Sequence, residues 1–335
     1  PYSYGDPYTG INRMYLKLKS SLMPYIYTTA ASAANIDTGN GDAGLPIVRA
    51  ILLSDNSEYA ASTATQYEYT LGENILVAPI YQNTDGDAAN GGLGDGNDVR
   101  NNIYLPGTED DVWVDYWTGK QYRGGQVLNN FDAPIWKLPV FVKANAIIPM
   151  YKPNDNPNKT DRTKRDVEFF ATAGEGSYTQ YEDTGTYIQN KTDTSDEAYG
   201  TEDNISYGSH VSTTYTSQVD GDTATFTAKK SEGSYTGYKP ERTTTFVVNA
   251  SAEPQSLVAK NGDAQLKLTK VNSQEALEAA EPKAGEAVYF YNETPNLNYN
   301  ATSDSEAVRN EEFSKTKITT TPKLYVKFAK TDVSK

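Results

Sequence analysis

The spacing of hydrophobic residues changes its period once, early in the chain. Apolar residues first recur with the three- and four-residue spacing of an amphipathic helix: Ile11, Met14, Leu18 and Leu22. This pattern predicts a helical region over residues 10–35, with Thr9 as its N-terminal cap. Pro24 is expected to kink or split the helix, because proline lacks an N–H group and clashes with the preceding turn.

After this region the apolar residues occur in short runs that are typical of β-strands. The runs are separated by turns rich in Gly, Asn and Asp, and some alternate strictly, as in TATFTA at residues 223–228. A polar stretch, KPNDNPNKTDRTK at residues 152–164, indicates a linker or an exposed crossover. We therefore predict a mainly β fold with two sandwiches, over residues 45–151 and 152–335.

The composition restricts the chemistry that the chain can perform. Among 335 residues there are no cysteines and one histidine, which excludes thiol nucleophiles, disulfides and zinc sites built on cysteine. The formal net charge is −14, so a nucleic acid partner is not expected, because phosphate binding needs a basic face. No apolar run is long enough to cross a bilayer, so no membrane span is expected either.

Two groups of neighbouring carboxylates are candidates for a catalytic acid and base. Residues that are adjacent on a strand point to opposite faces, so neighbours make poor catalytic pairs. The favoured interpretation places both groups in solvent, at turns or strand ends. The groups are Glu109, Asp110 and Asp111, and the pair Glu182 and Asp183.

An oxygen-rich loop follows the buried run ENILVAPIY. Four aspartates in it are candidate calcium ligands: Asp85, Asp87, Asp95 and Asp98. Their spacing does not match the EF-hand pattern, so a polar loop without metal is the favoured alternative. No other cofactor is expected.

Aromatic and imidazole side chains offer a further kind of site. The chain has 26 tyrosines, and the stretch TQYEDTGTYIQ could stack on sugar rings or form cross-strand pairs within a sheet. The sheet interpretation is favoured. His210 precedes a predicted strand with no nucleophile or metal ligand beside it, so we expect a surface histidine.

Longer strings are more specific than these patterns. The chain resembles glycoside hydrolase family 31, in the order and spacing expected for the family's last barrel helix and the β-domain behind the barrel. YEDTGTY is similar to an acidic turn in the family's second C-terminal β-domain. The strings that carry the resemblance are INRMYLKLKSSLMPYIYT, GLPIVRAILL, QYEYTLGENILVAPIY, NNIYLP, VWVDYWTGKQYRGG and APIWKLPVFVKANAIIP.

The resemblance implies a retaining α-glycosidase or α-transglucosylase whose nucleophile and acid/base are aspartates of a (β/α)8 barrel. Both would precede the last barrel helix, so no catalytic residue can be assigned within this chain. Residues 1–44 would then be the end of the barrel. Three residues near its catalytic face are candidate substrate contacts at the rim, the alternative being that they only order the helix start: Tyr2, Tyr4 and Asp6.

Two strings, GNDVRNNIYLP and NNFDAPIWKLPVFVK, are most similar to the bacterial branch of the family that acts on α-1,6-linked glucans. This similarity implies an α-glucan or oligosaccharide substrate, an upstream barrel segment as partner and an extracellular location. It also leads us to expect that the helix over residues 10–35 buries its apolar face against barrel elements. The alternative function is a free-standing β-sandwich that binds carbohydrate as a module or an adhesin.

Overall fold

The helical region at the start of the chain is split at the expected place. The computed structural model contains α1 (Tyr8–Ser21) and α2 (Met23–Ala33), and a short α3 (Gln274–Ala279) follows much later. Pro24 lies in the first turn of α2, where its missing N–H group costs nothing. The residues described are 2–5, 7–82, 84, 94–154, 156–199, 201, 204–297 and 318–335.

The predicted cap of the first helix is wrong. The residue before α1 is Pro7, and no side chain caps the helix there. Thr9 lies inside the first turn, and its hydroxyl group donates a hydrogen bond to the carbonyl oxygen of Gly5 at 3.1 Å.

The first β-unit is built around an antiparallel sheet with strand order β1-β2-β3-β10-β6-β7, and β4–β9 and β5–β8 form two separate ribbons. The strands are β1 (Val48–Ala50), β2 (Tyr69–Leu71), β3 (Ile75–Val77), β4 (Asp98–Arg100), β5 (Ile103–Leu105), β6 (Val112–Asp115), β7 (Gln121–Arg123), β8 (Gln126–Leu128), β9 (Phe131–Ala133) and β10 (Val140–Lys143).

This sheet is covered on both faces, which explains the unbroken apolar run ILVA at residues 75–78. Leu76 lies opposite Phe141, and both pack into a core with residues of the ribbons. Their neighbours Ile75 and Val142 point to the other face and join a second core with the helices. Alternate residues therefore serve different cores, and no position in the run is free to be polar.

The second β-unit contains a mixed sheet with strand order β11-β12-β19-β24-β23-β22, a sheet with strand order β13-β16-β17, and two ribbons, β14–β15 and β20–β21. Two further short strands, β18 and β25, pair with β16 and β19. The strands are β11 (Ile147–Tyr151), β12 (Lys164–Phe169), β13 (Gly174–Glu182), β14 (Tyr187–Gln189), β15 (Ile205–Tyr207), β16 (Val211–Asp220), β17 (Thr223–Ala228), β18 (Glu232–Gly233), β19 (Glu241–Asn249), β20 (Lys260–Asn261), β21 (Ala264–Gln265), β22 (Lys267–Lys270), β23 (Glu286–Asn292), β24 (Lys323–Phe328) and β25 (Thr331–Asp332).

The expectation of a mainly β fold is confirmed. Strand β11, which we assigned to the first sandwich, forms its hydrogen bonds with β12 of the second, from Ile147 opposite Phe169 to Tyr151 opposite Arg165. The chain therefore passes directly from one unit into a sheet of the other. The division at residues 151 and 152 stays a prediction.

The two helices pack against this chain's own sheets. Ile11, Met14 and Tyr25 are buried in the core that also contains Ile147 and Phe169. The expectation that missing barrel elements would cover this apolar face is therefore wrong, because the face is already covered. The described helices include none long and apolar enough to span a membrane.

Another side of the helices remains in solvent. Leu16 in α1 is 57% exposed, and two further large apolar side chains, Tyr8 in α1 and Met23 at the start of α2, are exposed as well. These three residues, which we call the outer stripe, contribute nothing to the cores described above. Large apolar side chains that remain exposed are a feature of contact surfaces.

One tyrosine ties α1 to the loop before β10, and its removal is a test of this packing. The hydroxyl group of Tyr15 donates to the carbonyl oxygen of Trp136 and accepts from the N–H group of Leu138, each at 2.7 Å. Tyr15→Phe leaves both backbone groups without this partner, so we expect the free energy of unfolding to fall by about 1–3 kcal/mol. Urea denaturation of the chain measures it. The matched control is Tyr8→Phe on the outer stripe, and equal stability losses in the two variants would contradict the assignment.

Candidate functional site

The first carboxylate group lies where the sequence predicted. Glu109, Asp110 and Asp111 are all exposed at the turn before β6. Asp111 accepts a hydrogen bond from the N–H group of Thr108 at 2.7 Å, which is a local turn contact. This cluster is part of the surface of a turn, as expected.

The second carboxylate group was placed wrongly in solvent. Glu182 is buried, and its two carboxylate oxygens accept from Nη1 of Arg242 at 2.9 and 3.0 Å. Arg242 is buried too, and although burial lowers the pKa of its guanidinium group, the charge of Glu182 raises it above the ordinary value. The pair neutralises itself inside the sandwich and is not available as a catalytic acid or base.

Asp183 joins the helices to the second β-unit. The hydroxyl groups of Tyr27 in α2 and Tyr181 in β13 both donate to its carboxylate, the latter at 2.9 Å, and the N–H group of Gly185 donates at 2.7 Å. Burial and these bonds to Asp183 raise the pKa of both tyrosines, so both stay protonated donors at neutral pH. The YEDTGTY motif therefore holds α2 against the second β-unit, and we call the hydrogen bonds of Asp183 with Tyr27 and Tyr181 the latch.

A notch of about 260 Å³ opens beside this latch. The ring of Tyr181 stacks with the ring of Tyr27, at 6.4 Å between centroids, and with that of His210, at 4.9 Å and an angle of 26°. Tyr181 is buried, whereas His210 is exposed, so the prediction of a surface histidine is confirmed. Residues of three segments line the notch: Asp37, Thr38, Gly39, Thr179, Tyr181, His210 and Ser212.

The tyrosines of the TQYEDTGTYIQ stretch have different surroundings. Tyr178 is buried against Tyr25 at 5.7 Å between ring centroids, and Tyr181 is covered on both sides. Tyr187, on β14, is 60% exposed and lies opposite Tyr207 of β15. The interpretation as cross-strand pairs is confirmed for Tyr178, which lies opposite Tyr215, and for Tyr187, whereas Tyr181 lies opposite Ser212.

Two of the three predicted rim residues cannot be compared with the structure. Asp6 and the side chain of Tyr2 are not among the described residues. Tyr4 lies in a short 3₁₀ turn, Tyr2–Tyr4, where it is 79% exposed and meets Tyr8 edge to face at 6.2 Å. Substrate contact by these residues stays a prediction.

The predicted calcium ligands are only half described. Asp85 and Asp87 lie outside the described residues. Asp95 accepts from the N–H group of Asn97 at 3.0 Å, and Asp98 accepts from the N–H group of Thr84 at 2.9 Å. Within the described ranges, acidic and imidazole side chains form no group of three suited to a metal ion. Calcium binding at this loop stays a prediction.

A buried carboxyl group in the first β-unit was missed by the sequence analysis. Both oxygens of Glu68 accept from the N–H group of Tyr104, at 3.2 and 3.1 Å. Burial raises the pKa of Glu68 to about 8, although this N–H group and the charge of Arg100 lower it. The only sequence signal was a glutamate between two tyrosines in QYEYT. Glu68 lies in neither the notch nor the outer stripe. We therefore expect its raised pKa to affect the pH dependence of folding stability.

Together the fold and these contacts define a β-rich region in which Glu182 is paired with Arg242 and Asp183 is bonded to two tyrosines. Residues 44–148 match the family model described as the glycosyl hydrolase family 31 C-terminal domain. The resemblance drawn from the sequence strings is thereby confirmed.

Relatives and solved structures agree with this assignment. A 1,6-alpha-glucosyltransferase of Sporosarcina globispora is 27% identical over 283 residues, which is 84% of this chain and 18% of that protein. An isomaltosyltransferase of the same organism is 33% identical over 139 residues, 41% of this chain and 10% of that protein. The family 31 dextranase of Flavobacterium johnsoniae shares the fold over 98% of this chain and 34% of its own, with a TM-score of 0.58 and 23% identity. The chain thus spans a minor part of the proteins that it matches.

The latch is tested by removing its charge. Asp183→Asn weakens the hydrogen bonds from both tyrosines, because bonds to a carboxylate are stronger than bonds to an amide oxygen. We expect the free energy of unfolding to fall by about 1–3 kcal/mol, measured by urea denaturation. The exposed Asp222, in the turn between β16 and β17, provides the control Asp222→Asn. If Asp183→Asn left the free energy of unfolding unchanged, the hydrogen bonds of the latch would not contribute to stability.

The pKa of Glu68 makes stability depend on pH. Between its ordinary pKa of 4.5 and about 8, the folded chain keeps a proton that the unfolded chain has lost, so the contribution of Glu68 to stability falls as pH rises. Glu68→Gln is neutral at every pH and removes this loss, which is worth about 1.4 kcal/mol for each pKa unit. We expect the variant to gain stability relative to the parent between about pH 5 and about pH 9, as followed by urea denaturation. A constant difference, like that expected for the exposed control Glu58→Gln, would contradict the assignment.

Proposed function

We propose that this chain is the C-terminal β-portion of a retaining α-glycosidase or α-transglucosylase of family 31 that acts on α-glucosidic linkages. The observation that carries the proposal is the match of residues 44–148 to the family's C-terminal domain. The finer assignment to α-1,6-glucan or isomaltooligosaccharide is supported by the names of two relatives, a 1,6-alpha-glucosyltransferase and an isomaltosyltransferase.

The proposed reaction needs two carboxyl groups on either side of the glycosidic bond. One attacks the anomeric carbon and forms a covalent glucosyl-enzyme, while the other protonates the leaving oxygen and then activates the acceptor. Water as acceptor gives hydrolysis, and a sugar hydroxyl group gives transfer, both with retention. Both carboxyl groups belong to an upstream barrel segment in this proposal, so the chain itself contributes the scaffold.

The outer stripe is the proposed contact surface for that barrel segment. Tyr8, Leu16 and Met23 form an exposed apolar row on helices whose other side is fixed to the sheets. Burial of such a row on a barrel would remove apolar surface from water at about 25 cal/mol per Å². In this proposal residues 1–44 complete the barrel, and residues 45–151 and 152–335 are the proximal and distal sandwiches.

The setting of the enzyme follows from the same proposal. Its polymeric substrate places it outside the cell, secreted or at the cell surface. The reaction requires no cofactor, because carboxyl groups perform both of its steps. A structural calcium ion held by Asp85, Asp87, Asp95 and Asp98 remains part of the proposal.

The alternative is a free-standing β-sandwich that binds carbohydrate as a module or an adhesin. Exposed aromatic rings such as Tyr187 and Tyr207 favour it, because sugar-binding surfaces use such rings. The outer stripe opposes it, since a free-standing module has no use for an exposed apolar helix face. Retention of the chain on immobilised dextran through extensive washing would favour the alternative.

Activity measurements on the chain with and without an upstream barrel segment test the proposal. We expect no release of glucose from isomaltotriose by the chain alone, and release with retained α-configuration, followed by proton NMR, once the barrel segment is present. Leu16→Asp on the outer stripe should reduce the activity of the longer protein, because a buried carboxylate without a partner is costly. The control Val258→Asp changes a residue that is equally exposed in the second β-unit. Activity of the chain alone, or equal activity of the two variants, would contradict the proposal.

A further inference from the structure

The notch beside the latch presents polar groups that the protein does not use. Oδ1 of Asp37 accepts from the N–H group of Gly39 at 2.9 Å, which leaves Oδ2 without a contact among the described residues. Within the same described ranges, the hydroxyl group of Ser212 and the ring nitrogens of His210 have no hydrogen-bond partner either. A carboxylate oxygen, a hydroxyl group and an imidazole therefore border one cleft and are available to a ligand.

The aromatic wall of the notch is held in place from behind. Tyr181 is buried and is fixed by its hydrogen bond to Asp183, so it offers a firm support for the imidazole of His210 at 4.9 Å. His210 itself is exposed, and its outer face meets no other described aromatic ring. A flat, solvent-exposed ring that is stacked on a rigid base suits a ligand with an apolar face.

Size and charge restrict the ligand. The notch volume of about 260 Å³ lies below the usual range for drug-sized molecules and suits a single ring. An anionic ligand is disfavoured by Asp37 at the rim and by the net charge of −14. The hydrogen-bonding groups and the flat ring that border the notch suit a molecule with many hydroxyl groups and one apolar face, which describes a pyranose.

We infer that the notch binds one glucosyl unit of an α-glucan, with His210 against the pyranose ring and with Asp37 and Ser212 bonded to its hydroxyl groups. The choice of an α-glucan among sugars rests on the proposed function. On a polymer with many equivalent units, this contact raises the effective concentration of the chain near its substrate. A single contact of this size is weak, so it binds in solution without surviving the washes of a retention assay.

Titration of the chain with isomaltotriose, followed by ¹H–¹⁵N NMR, tests the site. We expect shifts confined to residues around the notch, with a dissociation constant on the order of 1 mM. His210→Ala should weaken binding about fivefold or more, while His210→Phe, which keeps a flat ring, should weaken it less. Asp37→Ala should weaken binding as well, and the control Tyr67→Ala, which changes an exposed ring of the first β-unit, should leave it unchanged.

The outcomes separate this inference from the proposed function. Absence of shifts at the notch, or equal binding by His210→Ala and the parent chain, would overturn the site even if the barrel-containing protein proves active on α-glucans. Binding of cellotriose, a β-linked glucan, as strong as that of isomaltotriose would overturn the assignment to α-glucans. Inactivity of the barrel-containing protein on every α-glucan would contradict the proposed function, while notch shifts that His210→Ala abolishes would still support a sugar site.

Discussion

The pair of helices that both β-units share is the contact on which the structure depends. The hydroxyl group of Tyr25 donates to the carbonyl oxygen of Leu71 in the first sheet, and its ring packs on Tyr178 of the second unit. Thr28 accepts from the N–H group of Tyr181 at 3.0 Å, so α2 also satisfies the edge of strand β13. Because one helix fills both contacts, neither unit can form its complete core without the other.

Buried charges specify how the second unit is assembled. Glu182 and Arg242 join its two sheets from inside, and Lys323 meets Glu168 and Asn249 on the other face of the mixed sheet. Buried pairs add little net stability, because each ion loses its hydration. However, a buried ion pair forms only in a narrow range of geometries, and breaking the pair leaves one buried charge without a partner. They therefore favour one register of strands over others that the similar Thr- and Tyr-rich strands would permit.

The elements that stabilise the chain also position its two proposed binding surfaces, the outer stripe and the notch. The inner sides of the helices are committed to the cores, which leaves the outer stripe as the surface for an upstream barrel. On the second unit, the latch at Asp183 fixes Tyr181, and Tyr181 in turn supports His210 at the notch. A structural contact and a proposed sugar contact are thus built from one short motif.

The sequence by itself determined the elements and the family. Apolar spacing located the helices and the break near Pro24, alternation located most strands, and the strings over residues 44–148 indicated the family whose model matches them. Only the tertiary structure showed that Glu182, Asp183 and Glu68 are engaged or buried, and that His210 stacks on Tyr181. The reason is physical: period and composition follow from local backbone geometry, whereas the partners of a polar side chain come from segments distant in sequence.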